Sequence, residues 1–458
     1  MVRLASQGSS AHGAGGRPLL TRIIPLLAGA VRRPVTLAFL WKGINAIASL
    51  LAAMLLARVA GAEVLGHYAL ALATAAVAMT VGLRGLDTVL VRVVAGDLRE
   101  RAFLAARGAL RLVYRHVALS ILLVSAALLA LTLVGGLARW MGADQVSLAV
   151  AGLGVVALAA LRLTIMTLRS FDRPVLAQWV EALPSLIFLL LVAATAISGR
   201  GFSGPLVLLL YFSAQLVSAA VGYRGVRRIV RSWNLPPGRG EAPALRPLLL
   251  AGFPIMLTVL LHVSDDWFLL AAATRLLSAA DAGAMRIALQ LMIALAMVAT
   301  VMESYLAARL AGDLRVGRSD LAWSRYRKAV LVSLVLVGPV VLLLVIAPRP
   351  IVTILFGAEF APAAPAVALM ALGQLVNVAT GPAGLVLAMA GQERLLLIVI
   401  LAGSGALVLV TLALVPTLGL SGLAIGYASA YAVRKGLALL LASRIVRPGR
   451  HLPVPSAD

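Results

Sequence analysis

The chain of 458 residues contains no cysteine and only five histidines. Without thiols it has no disulfide, no thiolate zinc site and no cysteine nucleophile, and the scattered histidines show no metal-ligand spacing. The sequence also lacks a G-x-x-x-x-G-K-[ST] phosphate loop, a G-x-S-x-G elbow and an H-E-x-x-H motif. We therefore predict a protein with no metal, no cofactor and no catalytic residues.

Charge is scarce as well, and acidic charge most of all. Charged residues make up 12% of the chain, with 17 Asp and Glu against 40 Lys and Arg, while hydrophobic residues make up 62% and the mean hydropathy is +1.02. This composition excludes a soluble globular domain and is typical of a multi-pass membrane protein. The cations stand in short loops between apolar runs, so we predict membrane lipids rather than nucleic acid as their partners.

Twelve apolar runs are long enough to cross a bilayer, which takes about 20 residues of helix. A helix is the open structure whose backbone polar groups are all satisfied in lipid, so the prediction is an all-α polytopic membrane protein. The predicted spans are 36–58, 67–91, 116–137, 146–168, 175–198, 204–223, 247–272, 282–307, 329–347, 363–390, 394–415 and 421–443.

A long motif occurs twice in the chain. Arg58 stands eight residues before Gly66, and Arg275 stands eight before Gly283, while the sequence AGDLR recurs at 95–99 and 311–315. Further on, Tyr114-Arg115 opens one apolar run and Tyr326-Arg327 opens another. Matches in the same order at nearly one offset indicate a duplicated half, which in membrane proteins is typical of transporters.

The loops give the predicted orientation and the domain boundaries. Lys and Arg are concentrated in alternate loops, which favours an even number of spans with both termini in the cytoplasm. A linker with Pro-Pro-Gly and a run of charges separates two groups of six spans, which are therefore parallel pseudo-repeats. The predicted division is a basic tail over 1–35, a lobe over 36–223, a linker over 224–246, a second lobe over 247–443 and a tail over 444–458.

Polar residues within the spans are the candidate functional residues, because charge inside a bilayer is costly. On the predicted cytoplasmic side, Lys42, Arg84 and Arg162 form a vestibule suited to an anionic head group, since Arg offers a planar fork to phosphate oxygens. The alternative is structural: Arg84 pairs with Asp87, Arg162 pairs with Glu181, and Lys42 reaches the surface.

The second half carries a further set of such residues. Asp265 and Asp266 lie late in span 7 and Arg286 lies early in span 8, all expected near the outer face. They form either a structural ion pair or the proton-accepting group of a coupled carrier. The coupling-or-pairing candidates are thus Asp87, Glu181, Asp265, Asp266 and Arg286. The residues expected to line the transport path are Asn45, Gln374 and Asn377.

The segment ARVAGAEVLGHYALALATAAVAMTVGLRGLDTVLVRVVA (57–95) resembles the polysaccharide transporter family, the O-antigen flippase type. That family belongs to the multidrug/oligosaccharidyl-lipid/polysaccharide exporter superfamily. The matching positions are Arg58, Gly61, Glu63, Gly66, Tyr68, Gly82, Leu83 and Arg92. Asp266 also matches, with Trp267 in place of an Arg. The likeness covers spans 1–2, 7–8 and 10–12 and is poor over spans 3–6.

The resemblance implies a V-shaped fold of two six-helix lobes in the bacterial inner membrane. It also implies flipping of an undecaprenyl-pyrophosphate-linked oligosaccharide from the cytoplasmic to the periplasmic leaflet. Coupling to a proton or a sodium ion, and association with polysaccharide-assembly proteins, stay open. So do a small-molecule (multidrug) antiporter of the same superfamily and, from another class, a membrane glycosyltransferase or a scaffold for envelope assembly.

Overall fold

The computed structural model describes residues 34–236, 243–315 and 318–446. The predicted tails therefore lie almost wholly outside the described residues, as do six residues of the predicted linker, 237–242. Every regular element in the described part of the chain is a helix. The helices are α1 (Pro34–Leu83), α2 (Leu86–Arg99), α3 (Phe103–Leu133), α4 (Gly136–Met141), α5 (Gln145–Ser170), α6 (Pro174–Ile197), α7 (Gly204–Ser232), α8 (Leu245–Leu276), α9 (Ala279–Arg315), α10 (Ser319–Ile346), α11 (Pro348–Phe356), a 3₁₀ turn (Ala358–Ala363), α12 (Ala364–Thr380), α13 (Ala383–Met389), α14 (Glu393–Leu418) and α15 (Leu420–Val446).

Most of the predicted spans coincide with one of these helices or with part of one, which confirms the all-α fold. Span 67–91 instead crosses the break between α1 and α2, and span 363–390 crosses the break between α12 and α13. Among the described residues, ten helices are long and apolar enough to cross a membrane, so the chain is a multi-pass membrane protein. The first of them, α1, contains predicted span 36–58 and most of span 67–91. Helix α15 is not among the ten, because Arg434 and Lys435 interrupt its apolar sequence.

Helix α1 changes direction at Gly61, between its two predicted spans. Gly61 has a φ of 79° and a ψ of 172°, a conformation that L side chains rarely adopt, and it lets the helix resume at a new angle. The backbone N–H of Ala62, freed by this break, donates to Glu359 Oε1 over 3.0 Å. The 3₁₀ turn that carries Glu359 is thereby attached to the kink of α1, on its predicted outer side.

The helices pack mostly within each half of the chain, and α1 connects the halves. Helix α5 packs along α7 and α3, while α15 packs along α14 and α12. Helix α1 runs between the two groups, packing on α6 from its own half and on α9 and α8 from the other. One hydrophobic core accordingly extends through both halves, with a smaller one between α9, α10, α13 and α15. The division into two lobes stays a prediction.

Candidate functional site

A polar cavity of about 80 Å³ lies where the two halves meet. Helix α1 forms one wall, α6 and α7 form the side that belongs to the first half, and α9 closes the cavity from the second half. The polar residues that line it are Ser49, Tyr68, Ser185, Tyr211, Arg286 and Gln290. The cavity is small beside the roughly 300–1,000 Å³ of pockets that enclose drug-sized ligands. In this conformation it can therefore hold a small polar group but not a sugar chain.

Arg286 is the charged residue of this cavity. Its Nη2 donates to Gln290 Oε1 over 3.3 Å, one turn further along α9, and Gln290 Nε2 donates to Ser49 Oγ over 3.2 Å. These two hydrogen bonds connect the guanidinium to α1 across the boundary between the halves. Among the described residues no carboxylate lies within 4.0 Å of Arg286, so its charge is not paired.

Aromatic rings surround this charge. The Tyr68 and Tyr211 rings meet edge to face at a centroid distance of 6.0 Å, and the Phe188 ring meets Tyr211 in the same way at 5.2 Å. Tyr68 is 4% exposed, so this wall of the cavity excludes bulk water. A half-buried cation without a carboxylate partner favours occupation of the cavity by an anionic group, since a desolvated charge is costly when left unpaired.

None of Lys42, Arg84 and Arg162 lines the cavity, and the vestibule that they were expected to form stays a prediction. Arg162 Nε donates to Asp87 Oδ2 over 2.9 Å, and Asp87 is buried, so this pair joins α5 to α2. Arg84 is exposed at the left-handed turn between α1 and α2, with a φ of 53°. Lys42 is half-buried on α1.

The expected ion pairs form with other partners. Asp87 pairs with Arg162 rather than Arg84, and Glu181 pairs with Arg169 over 2.6 Å rather than with Arg162. Both acids therefore hold helices of the first half together. The pairings that the structural alternative expected are therefore wrong, while the role of these charges stays a prediction.

In the second half Arg286 does not pair with Asp265. The partner of Asp265 is Arg434, which also donates to Ser404 Oγ over 2.8 Å. Because Arg434 stands near the middle of α15, this pair lies at mid-helix depth, not at the outer face as expected. The adjacent Asp266 is exposed and acts electrostatically on Arg286 from beyond ion-pair distance.

The residues expected to line the path have different surroundings. Asn45 accepts a hydrogen bond of 2.7 Å from Ser185 Oγ, so it lies directly behind the cavity wall. Gln374 and Asn377 are buried and bonded to each other at 3.0 Å, and Gln374 donates to Tyr427 Oη at 2.5 Å. These two amides join α12 to α15, so their polarity serves helix packing rather than the cavity.

Four residues near these sites were not among the candidates predicted from the sequence. Two of them, Arg434 and Lys435, lie within α15 and face Asp265 and Glu303, the latter at 4.0 Å. The sequence does contain a signal for Arg434 and Lys435, because they are two charges in an otherwise apolar run over 421–443. Tyr68 and Tyr211 gave no such signal, because aromatic residues are common in spans.

The predicted outer end of the interface is closed by the two copies of the repeated motif. A Cβ on Gly66 would overlap the carbonyl oxygen of Ala279, and a Cβ on Gly283 would overlap that of Ala62. Arg58 adds hydrogen bonds to the carbonyl oxygens of Ile354 and Leu355, the latter over 3.3 Å. Backbone therefore lies directly on backbone at this end, which leaves no passage between α1 and α9 there.

No protein-family profile matches the chain, and no curated protein matches it by sequence. Solved structures do match. One is an inward-facing multidrug resistance MATE family transporter of the MOP superfamily, with a TM-score of 0.70 and 16% identity over 89% of this chain and 98% of that one. Another is the lipid II flippase MurJ in an inward closed conformation, with a TM-score of 0.68 and 11% identity over 89% and 87%.

A MATE family transporter in an outward-facing conformation matches less well, with a TM-score of 0.58 and 17% identity over 90% of this chain and 95% of that one. The described chain therefore shares the fold of these solved structures.

Proposed function

We propose that this protein is a transporter that flips a polyprenyl-pyrophosphate-linked oligosaccharide across the bacterial inner membrane, from the cytoplasmic to the periplasmic leaflet. The observation that carries this proposal is the unpaired Arg286 in the cavity between the halves. A guanidinium can bind two phosphate oxygens at once, and the hydroxyls of Ser49 and Ser185 add donors beside it. The function that we propose is transport without an enzymatic reaction.

The proposed mechanism is alternating access of the two halves. The charged head group enters the interface while the lipid tail stays in the membrane between helices. Arg286 binds the pyrophosphate and is connected to α1 through Gln290 and Ser49. The bound anion therefore interacts with a hydrogen-bond network that joins the two halves. Opening the contact between Gly66 and Gly283 then exposes the head group on the other side. The small present volume fits a state without cargo.

The second candidate function is export of cationic small molecules by an antiporter, as in the MATE family transporters with the same fold. The specific observation in its favour is Asp266, an exposed carboxylate close to the interface. An acid in this position is suited to binding a cation or a coupling ion. Arg286 opposes this function, because a cationic drug in the cavity would meet a like charge.

The test is a flipping assay with purified protein in liposomes. The probe is an undecaprenyl pyrophosphate that carries a fluorescent disaccharide, and an impermeant quencher reports which leaflet it occupies. We expect the wild-type protein to equilibrate the probe. Arg286→Ala should slow this at least tenfold and Arg286→Lys should slow it less, since one charged hydrogen bond contributes about 1.5–3 kcal/mol. Arg349→Ala, which removes an exposed arginine, is the matched control.

Two results would contradict the proposal. Equal flipping by wild-type protein and Arg286→Ala would exclude Arg286 as the head-group site. No flipping by the wild-type protein, together with uptake of a cationic dye driven by a proton or sodium gradient, would establish the antiporter instead. In that case Asp266→Asn should abolish dye uptake.

A further inference from the structure

Two adjoining grooves lie on the first half, separate from the cavity. The first turns of α3 and the last turns of α7 enclose a basic groove of about 270 Å³. Four arginines and two tyrosines provide its polar groups: Arg107, Arg111, Arg227, Arg231, Tyr114 and Tyr223. None of these residues lines the cavity that contains Arg286.

The second groove is apolar and continues from the first. It has a volume of about 450 Å³ between α3, α5 and α7, and it shares Tyr114 and Tyr223 with the basic groove. Alanines form much of its floor, among them the exposed Ala118 and Ala220. The small alanine side chains leave open space between their larger neighbours.

The two tyrosines mark the level at which the apolar groove becomes basic. Their rings are 6.2 Å apart, and Tyr114 Oη shares a hydrogen bond of 2.9 Å with Thr167. In the sequence, Tyr223 ends a predicted span and Tyr114 stands two residues before another begins. Tyrosines collect at the level of the lipid head groups, so the arginines lie on the head-group side and the alanines on the side of the acyl chains.

We propose that the paired grooves bind one phospholipid with an anionic head group, taken from the cytoplasmic leaflet. The phosphate lies among the arginines and an acyl chain lies in the apolar groove. Arg227 and Arg231 form no ion pair with any residue that the structure describes, so their charge is available to the head group. Basic pockets between helices on the cytoplasmic side are suited to such lipids.

This lipid is a resident and not the cargo. The helices that form the grooves pack mainly on other helices of the first half, and the grooves open to the membrane rather than to the interface between the halves. A cargo bound here would have no route to the cavity. The proposal is therefore independent of which substrate the protein carries.

The first test counts bound lipid by native mass spectrometry on protein purified with mixed phosphatidylglycerol and phosphatidylethanolamine. We expect phosphatidylglycerol to be retained at least fivefold over the zwitterionic lipid. Arg227→Ala/Arg231→Ala should abolish this preference. Arg224→Ala/Arg228→Ala removes the same charge from the same helix but leaves the groove intact, so it should keep the preference. Equal loss in both variants, or no preference in the wild-type protein, would overturn the proposal.

The second test concerns the acyl chain. Ala118→Phe fills the apolar groove, and Ala126→Phe places the same ring at an exposed position of α3 outside it. We expect only the first to release the lipid. Inorganic phosphate or glycerol phosphate at millimolar concentration should not displace it. Displacement by either would establish a free-phosphate site, and preferential retention of undecaprenyl pyrophosphate would establish a cargo site; both would refute a resident phospholipid.

Discussion

The two copies of the repeated motif are alike where they touch and different where they do not. Gly66 packs on Ala279, and Gly283 packs on Ala62, so each copy supplies one glycine and one carbonyl to the same reciprocal contact. In a reciprocal contact of this kind, each copy must place a glycine against the carbonyl oxygen of the other copy. The two copies are therefore alike at the predicted outer end because both take part in the same contact.

At the other end of the motif the backbone is preserved and the side chains diverge. Ala102 N–H donates to the carbonyl of Asp97 over 2.8 Å, and Arg318 N–H donates to that of Asp313 over 2.9 Å, so both AGDLR segments accept the same backbone hydrogen bond. Asp313 then pairs with Arg325 at 2.8 Å. No described ion pair involves Asp97. The hydrogen bond uses backbone atoms alone, which leaves the carboxylates free to differ.

The halves also differ in how they bury charge. The first half has Asp87 with Arg162, whose side chain is 37% exposed. The second half has Asp265 with Arg434, in which the side chains are 14% and 13% exposed. A more enclosed pair depends more strongly on its partner, because water cannot replace it. The second half should therefore be the less tolerant of the loss of one charge.

The largest effect is expected from breaking the contact between the copies. Gly66→Val places a branched side chain into the backbone of α9, so the outer end cannot close as it does here. We expect transport to fall at least tenfold and the cavity to become accessible from outside. Because the chain has no cysteine, a single Ser185→Cys in the cavity wall reports this access through labelling by an impermeant maleimide.

The matched control for Gly66→Val is Gly96→Val, at a glycine of the same motif with open space around its α-carbon. It should leave labelling and transport unchanged. Gly283→Ala tests the other side of the reciprocal contact and should act in the same direction as Gly66→Val. Elution of all variants as folded protein in detergent is required. Folded Gly66→Val that still excludes the maleimide would refute closure by this contact.

The fold could be read from the sequence, while the pairing of charges could not. Apolar runs of the length of a bilayer indicate where helices lie, and most of the predicted spans match a helix, although span 67–91 is interrupted between α1 and α2. The pairing of Asp87 with Arg162, or of Asp265 with Arg434, depends on which helix faces which, and that is a property of tertiary packing. Arg286 was placed among the candidates, but only the structure shows that it has no carboxylate partner.

The next effect concerns the enclosed ion pairs. Arg434→Ala leaves Asp265 among helices without a partner, which should lower the stability by about 3 kcal/mol, as for a broken buried pair. Arg162→Ala should lower it less, because the Arg162 side chain is 37% exposed and water can enter the space that it vacates beside the buried Asp87. Thermal unfolding in detergent measures both. Adding Asp265→Asn to Arg434→Ala should recover part of the lost stability. A larger loss of stability in Arg162→Ala than in Arg434→Ala would contradict the prediction that the second half is the less tolerant.

The smallest expected effect on stability distinguishes the two AGDLR segments. Asp313→Asn removes one member of a partly exposed ion pair and should lower the unfolding midpoint slightly, since such pairs contribute about 0.2–1 kcal/mol. Asp97→Asn should not lower it. Partial burial, and secondarily the Glu100 carboxylate, raise the pKa of Asp97, so its ionised form is the less favoured one in the folded protein. The substitution removes that penalty, which is complete above the raised pKa and absent below the ordinary pKa of an aspartate. An unfolding midpoint that falls by the same amount in Asp313→Asn and Asp97→Asn at neutral pH would contradict this difference between the two carboxylates.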